Sequence, residues 1–202
     1  MSRTPYALLG NDPGFVGRRG DLLVARQQLA DFLRGNAMVL SIPYTGEDMN
    51  PRRFWHALAA RNPFRFARQA LTVGLTTYMP AGEFKNTLLR SIGMKIGREA
   101  FIASGVFFDV EFPTLIEIGE GAIIGTKTQI LTHDVTIRTV RVGRIRIGRQ
   151  AVVGVGCVLR SGVRIGEGAI ASMNSFLNRD VADHELCGGN PLKTIRILDR
   201  LL

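Results

Sequence analysis

Three histidines and two cysteines are the side chains here best suited to proton transfer or nucleophilic attack near neutral pH. The cysteines, Cys157 and Cys187, show neither metal-ligand spacing nor a disulfide framework. Cys157 falls at a repeat position that suits a small buried side chain. No histidine neighbours Cys187 in sequence, so a thiol nucleophile is not indicated. His56, beside Trp55, and His184, in Ala182-Asp-His-Glu185, read as surface residues. His133 is different: it lies in Leu131-Thr-His-Asp134, where a regular apolar pattern breaks off. A neutral imidazole at such a junction can take the proton from a hydroxyl while the oxygen attacks a carbonyl carbon. The group that would orient the ring is open between Asp109, Glu111, Asp134 and a main-chain carbonyl.

The pattern that breaks off has a period of six. It runs through Ile96-Gly97, Ile102 and Phe108, then Ile118-Gly119, Ile124-Gly125 and Ile130. It resumes with Ile147-Gly148, Val153-Gly154, Leu159, Ile165-Gly166, Ala171 and Leu177. This fits neither a helix at 3.6 nor a simple strand at 2. It predicts a coil of three short flat sides, one hexapeptide per side, with the aliphatic residue inward and glycine easing the corner. Successive coils would stack about 4.8 Å apart through backbone pairing. Residues 134–146 interrupt the repeat with Arg138, Arg141, Arg144 and Arg146 and read as a loop on one face.

Other elements must deliver the chain to this coil. Asp21 can cap a helix that runs to Arg34, its apolar face Leu22, Leu29 and Phe32 or Leu33. Residues 37–50 read as a loop containing Pro43 and Gly46. Asn50-Pro51 starts a predicted helix to about Arg61, Pro63 another to about Leu75, and residues 83–92 a short last one. The net charge of +9 is concentrated here: residues 1–95 carry 13 Lys+Arg against 6 Asp+Glu, and residues 96–202 carry 13 against 11. No helix-turn-helix, zinc-finger or RNP-like motif accompanies that charge, so nucleic acid is not the indicated partner. The segment from Arg52 to Arg68 mixes aromatics with arginines. It suits peripheral membrane contact through residues 52–68, or a helix packed on the coil with its arginines outward. No stretch has the length of a membrane span, and the N-terminus lacks the apolar run of a secretory signal, so a cytoplasmic location is expected.

The C-terminal run Ile165-Gly-Glu-Gly-Ala-Ile-Ala-Ser-Met-Asn-Ser-Phe-Leu-Asn-Arg-Asp-Val181 leads into Gly188-Gly-Asn-Pro-Leu-Lys-Thr-Ile-Arg196. With the repeat, it resembles the hexapeptide-repeat acyltransferases, in particular maltose- and galactoside-type O-acetyltransferases, over roughly residues 90–200. The resemblance implies a mainly β fold. Residues 1–95 would be an N-terminal helical and irregular segment. Residues 96–182 would form a left-handed parallel β-helix with its excursion at about 134–146. Residues 183–202 would form a turn and a short C-terminal helix.

The same resemblance implies acyl transfer from acetyl-CoA to a hydroxyl of a sugar or related small molecule, without a metal. His133 would be the catalytic base, in a Thr-His signature. Coenzyme A would lie between two subunits of a homotrimer, towards which the excursion reaches. Its contact positions would fall on Val155, Met173, Asn178, Arg179, Lys193 and Arg196. Val152-Val153-Gly154 departs from the Trp-Ile-Gly of many relatives, so one aromatic contact is missing. Relatives with an N-terminal helical segment often place an asparagine or aspartate in the coil below the histidine, and Phe107-Phe108-Asp109 resembles the start of that segment. A γ-type carbonic anhydrase would need three histidines from the repeat, which offers only His133. The alternatives are a non-catalytic β-helix scaffold and an N-acetyltransferase acting on an amino sugar.

Overall fold

The six-residue period closes into a three-sided prism in the computed structural model, which describes residues 15–16, 22–43, 62–136 and 139–198. The first sheet stacks β3 (Lys95–Ile96), β6 (Ile116–Ile118), β11 (Ile145–Ile147) and β14 (Arg164–Ile165). The second stacks β4 (Phe101–Ile102), β7 (Ile123–Ile124), β12 (Val152–Val153), β15 (Ile170–Ala171) and β17 (Glu185–Gly188). The third stacks β5 (Phe107–Phe108), β8 (Gln129–Ile130), β13 (Val158–Leu159) and β16 (Phe176–Leu177). All these pairings are parallel and in register, so Ile118 lies beside Ile147 and Ile147 beside Ile165. Ile102, Ile124, Ile130, Val153 and Leu159 are fully buried in one column-like core. Truncating one such isoleucine or leucine to alanine costs about 2–5 kcal/mol, because the stacked coils cannot collapse on the void. Glycine is required where corners touch: a Cβ on Gly119 would sit 2.6 Å from the backbone nitrogen of Arg149 one coil on.

The outer faces differ in chemistry. The first sheet turns Lys95, Glu117, Arg146 and Arg164 outward, and Glu117 pairs with both Lys95 and Arg146. The second turns out Phe101, Ile123, Val152 and Ile170, and the third turns out Phe107, Gln129, Val158 and Phe176. One side of the prism is therefore charged, and the other two are mostly apolar.

The open end of the first coil is capped by two helices, α2 (Pro63–Tyr78) and α3 (Glu83–Ser91). Helix α2 starts as predicted: the Asn62 side chain accepts from the backbone N–H groups of Phe64 and Arg65, and Pro63 follows it. Helix α3 supplies donors to the edge carbonyls that no lower coil can satisfy. Arg90 donates to Ile96 O at 2.8 Å, Asn86 to Ala100 O at 2.8 Å and Lys85 to Ala103 O at 2.8 Å. Lys85 is fully buried, and burial pulls its ammonium pKa down to about 8.

Two stretches expected to be loops are strands. Val39–Pro43, inside the predicted 37–50 loop, forms β2, and the excursion at 134–146 is a hairpin of β9 (His133–Val135) and β10 (Thr139–Gly143). Strand β10 pairs antiparallel with β9 on one side and β2 on the other, and β1 (Phe15–Val16) completes the sheet. Helix α1 (Leu22–Arg34) packs Ala25, Leu29 and Phe32 on this sheet in a second core with Leu40, Ile42, Phe112, Leu115, Val140 and Val142. Arg144 binds the C-terminal end of α1, donating to the carbonyls of Phe32 at 3.0 Å, Gly35 at 2.5 Å and Ala37 at 3.0 Å. A cation at a helix C-terminus is favoured by both the dipole and the unsatisfied carbonyls. The helix predicted from Asn50-Pro51 lies outside the described residues.

The chain end also differs from expectation. Lys193–Ile197 is a strand, β18, antiparallel to β17, in place of a short helix. The β-branched residues Thr194, Ile195 and Ile197 favour the extended form, and β17 offers an edge to pair with. An ion pair between half-buried Arg179 and buried Glu185 clips this hairpin. Arg179 donates to Glu185 Oε1 at 2.8 Å, while Thr194 Oγ1 at 2.6 Å and the Ala182 N–H at 2.8 Å also donate to that carboxylate. Burial raises the Glu185 pKa, but the bonds from Arg179, Thr194 and Ala182 outweigh it and hold it at about 2, below the ordinary 4.5. Its stabilising contribution is therefore complete above pH 4.5 and lost as pH falls towards 2. Glu185→Gln is expected to destabilise the protein by on the order of 2–3 kcal/mol at pH 7 and by much less at pH 2.5, read from thermal unfolding midpoints.

Candidate active site

The corner between the third and first sheets carries the candidate base. Strand β8 ends at Ile130, and the chain passes through Thr132 into the hairpin at His133. One coil below, the turn after β5 brings Asp109 under it. Of the four orienters left open by the sequence, the geometry selects Asp109: its Oδ2 lies 2.5 Å from His133 Nδ1. The same oxygen accepts from the Thr132 hydroxyl at 2.7 Å and the Thr132 N–H at 2.9 Å, and Oδ1 accepts from the Glu111 N–H at 3.0 Å. Asp109 is only 4% exposed. Burial alone would raise its pKa, yet the hydrogen bond and charge of His133, with Thr132 and Glu111, hold it below the ordinary carboxylate value. An ionised Asp109 fixes the proton of the neutral ring on Nδ1 and leaves the lone pair on Nε2. The Phe112 ring meets the imidazole edge-on at 6.3 Å, which ties the base to the second core.

Asp134 does a different job. It accepts from Arg160 Nε at 3.0 Å and Ser161 Oγ at 2.7 Å, and Arg141 donates to Ser161. This network bolts the hairpin to the next coil, so the residue beside the base is immobilised on both sides. Thr132, Phe112, Ser161 and Arg144 were not legible as site residues. Their partners lie 20 or more positions away in sequence, except that Thr132 adjoins the histidine in the motif.

The other six positions separate into three places. Val155 and Met173 lie at the corner between the second and third sheets, 37% and 68% exposed. Asn178 and Arg179 follow β16 at the same corner as His133, two coils further up. Lys193 and Arg196 stand exposed on β18 at the end of the second sheet. The Arg179 guanidinium is engaged by Glu185, by Thr194 Oγ1 at 2.9 Å and by the Asp180 carbonyl at 2.7 Å. Within one chain, His133 and the Val155–Met173 corner are separated by the width of the third sheet. His184, half-buried, closes a corner through its backbone, with its N–H donating to Glu167 O at 2.8 Å. His56 lies outside the described residues. A shallow groove along the first sheet, between Lys95, Glu117, Arg146 and Arg164, contains none of the candidate residues. Cys157 and Cys187 are both buried, and burial pushes both thiols up, Cys187 to about 11 with help from the Glu185 carboxylate. Neither is placed or poised as a nucleophile.

No family model matches the chain. YvoF of Bacillus subtilis, a protein named as an acetyltransferase, is 32% identical over 142 residues, which cover 70% of this chain and 83% of YvoF. Serine acetyltransferase 2 of Arabidopsis thaliana is 30% identical over 149 residues, 72% of this chain but 44% of its own length. Among solved structures, the hexapeptide-repeat acetyltransferase VCA0836 of Vibrio cholerae, complexed with acetyl coenzyme A, matches with a TM-score of 0.58 at 24% identity. The match covers 70% of this chain and 91% of that one. Galactoside acetyltransferase in complex with coenzyme A matches with a TM-score of 0.54 at 16% identity, over 68% of this chain and 82% of its own. The architecture these structures share is the left-handed parallel β-helix. Sequence likeness to YvoF over most of both chains agrees with the coil geometry, and the protein belongs to the hexapeptide-repeat acetyltransferase family.

Proposed function

We propose that this protein is a homotrimeric, acetyl-CoA-dependent O-acyltransferase with His133 as general base, acting on a hydroxyl of a sugar or related small molecule. The observation that carries the reading is the Asp109–His133 pair, a buried carboxylate fixing the tautomer of an imidazole at the prism's corner. Nε2 takes the proton of the acceptor hydroxyl as its oxygen attacks the thioester carbonyl. The carbon–sulfur bond then breaks, and the imidazolium returns the proton to the departing thiolate. Substrates and products balance as thioester plus alcohol to ester plus thiol. No acyl-enzyme is invoked, in keeping with two buried thiols of raised pKa. Those thiols also suit a reducing, cytoplasmic setting.

The donor site fits the residues present. The exposed Val155–Met173 corner suits a pantetheine arm, and Lys193 and Arg196 suit phosphates. That corner and the base lie on opposite edges of the third sheet. A site completed by a neighbouring copy explains the separation, and the apolar outer faces of two sheets supply the contact for a closed ring. Two of the solved structures that match this fold are complexes with acetyl coenzyme A and with coenzyme A, which supports the donor assignment. Calorimetry with coenzyme A tests it: about one site per chain is expected, weakened roughly 10-fold by Lys193→Ala with Arg196→Ala. Absence of binding to the folded oligomer would favour the scaffold reading.

A further inference from the structure

Helix α2 is amphipathic in an unusual direction. The face it turns to the protein carries Gln69, Val73 and Thr76. The face it turns away carries Phe64, Leu71, Leu75 and Tyr78, which are 86%, 74%, 56% and 86% exposed. Their spacing of seven, four and three residues places them in one stripe along the helix. Phe84, at the start of α3, is also 71% exposed. Arg65 and Arg68 stand exposed beside the stripe. In the sequence no aspartate or glutamate occurs from residue 49 to residue 82, whereas Arg52, Arg53, Arg61, Arg65 and Arg68 do. The helix is held firmly: Thr77 O accepts from the Gly105 N–H at 2.5 Å, and Val73 belongs to the prism core.

We infer that α2 docks the first-coil end of the prism on an anionic lipid surface. Charge chooses this occupant over two others. A second copy of the helix laid on the stripe would bring Arg65 and Arg68 of both copies together with no acidic residue in either helix to balance them. The preceding segment, residues 49–61, adds three more arginines and no acid. An anionic bilayer supplies an apolar medium for the stripe and counter-charge for the arginines together. Asp109 follows β5 of the first coil and His133 follows β8 of the second, so docking through α2 would set the dyad towards the membrane-facing end of the prism. Docking of this kind draws on α2, Phe84 and the neighbouring arginines and does not depend on the transfer chemistry.

Co-sedimentation of the full-length protein with phosphatidylcholine vesicles, with and without phosphatidylglycerol, tests it. The protein is expected to pellet with the anionic vesicles only, and to be released as salt rises past the screening range. Leu71→Ser with Leu75→Ser, and separately Arg65→Ser with Arg68→Ser, should each cut the bound fraction at least about 10-fold. All six-residue coils lie elsewhere, so gel-filtration volume, far-UV circular dichroism and coenzyme A binding should not change in these variants. Failure of the wild-type protein to bind anionic vesicles would overturn the inference, as would a change of oligomeric state in the Leu71→Ser/Leu75→Ser variant. The second result would mean that another copy covers the stripe.

Discussion

Replacing His133 with alanine should slow acyl transfer by about 10²–10⁴-fold at saturating donor, with coenzyme A affinity unchanged within about two-fold. The acceptor hydroxyl holds its proton firmly at neutral pH, so its oxygen is a poor nucleophile until a base takes that proton in the transition state. Among the described residues at this corner, His133 is the group whose ordinary pKa suits that work. Its side chain is about a quarter exposed, open enough to meet a substrate and enclosed enough to be held. Removing the ring also takes one hydrogen-bond partner from the buried Asp109 carboxylate and the edge-on contact from Phe112, so the thermal midpoint should fall as well, and turnover is compared at a temperature where the variant is fully folded. An effect on the turnover number alone, without one on donor binding, is the signature of an interaction made in the transition state.

Asp109→Asn should produce a loss of similar order through a different cause, and a loss of stability as well. Asp109 accepts four hydrogen bonds, three of them at Oδ2. An asparagine that keeps its oxygen towards His133 and Thr132 must aim its amide N–H at the N–H of Glu111. Turned the other way, it donates to Nδ1, which places the ring proton on Nε2 and removes the base. Either arrangement leaves a buried donor without an acceptor, at a cost of about 1–3 kcal/mol. The pH dependence separates this from general damage. The carboxyl of Asp109 is held below its ordinary 3.8 in the folded protein. Its stabilisation is thus complete above that value and lost as pH falls through the folded pKa. Thermal midpoints of wild type and variant should therefore differ at pH 7 and converge at the acid end, while turnover is lost throughout.

The coil was legible because its signal is local and repeated. Each Ile-Gly pair states the same inward position and the same tight corner, and Gly119 or Gly154 would clash with the coil above if it carried a side chain. The catalytic histidine was legible for the opposite reason, since it stands where the repetition stops. The orienting aspartate was only one of several candidates, because the choice depends on which coil lies beneath His133, and Asp109 is 24 residues away. The hairpin and its partner strand were missed together. Val39-Leu-Ser-Ile42 is a short β-prone run, but Pro43 and Gly46 argued for a loop. The partner that makes it a strand is β10, about a hundred residues further on. Arg144 shows the same limit: its acceptors are the carbonyls of Phe32, Gly35 and Ala37, and nothing near it in sequence announces them. At the chain end, resemblance suggested a helix where the β-branched residues and the edge of β17 produce a strand. The apolar stripe of α2 was read as helical, but only the packing shows that it points away from the protein.

The role of His133 is tested most directly by release of free thiol from acetyl-CoA across a panel of soluble sugar hydroxyl acceptors, with wild type and His133→Ala compared at equal donor occupancy. Acceptor-dependent release by the wild-type protein, falling to near background in the variant, is expected. Acceptor-dependent release that continues at the wild-type rate in His133→Ala would contradict it.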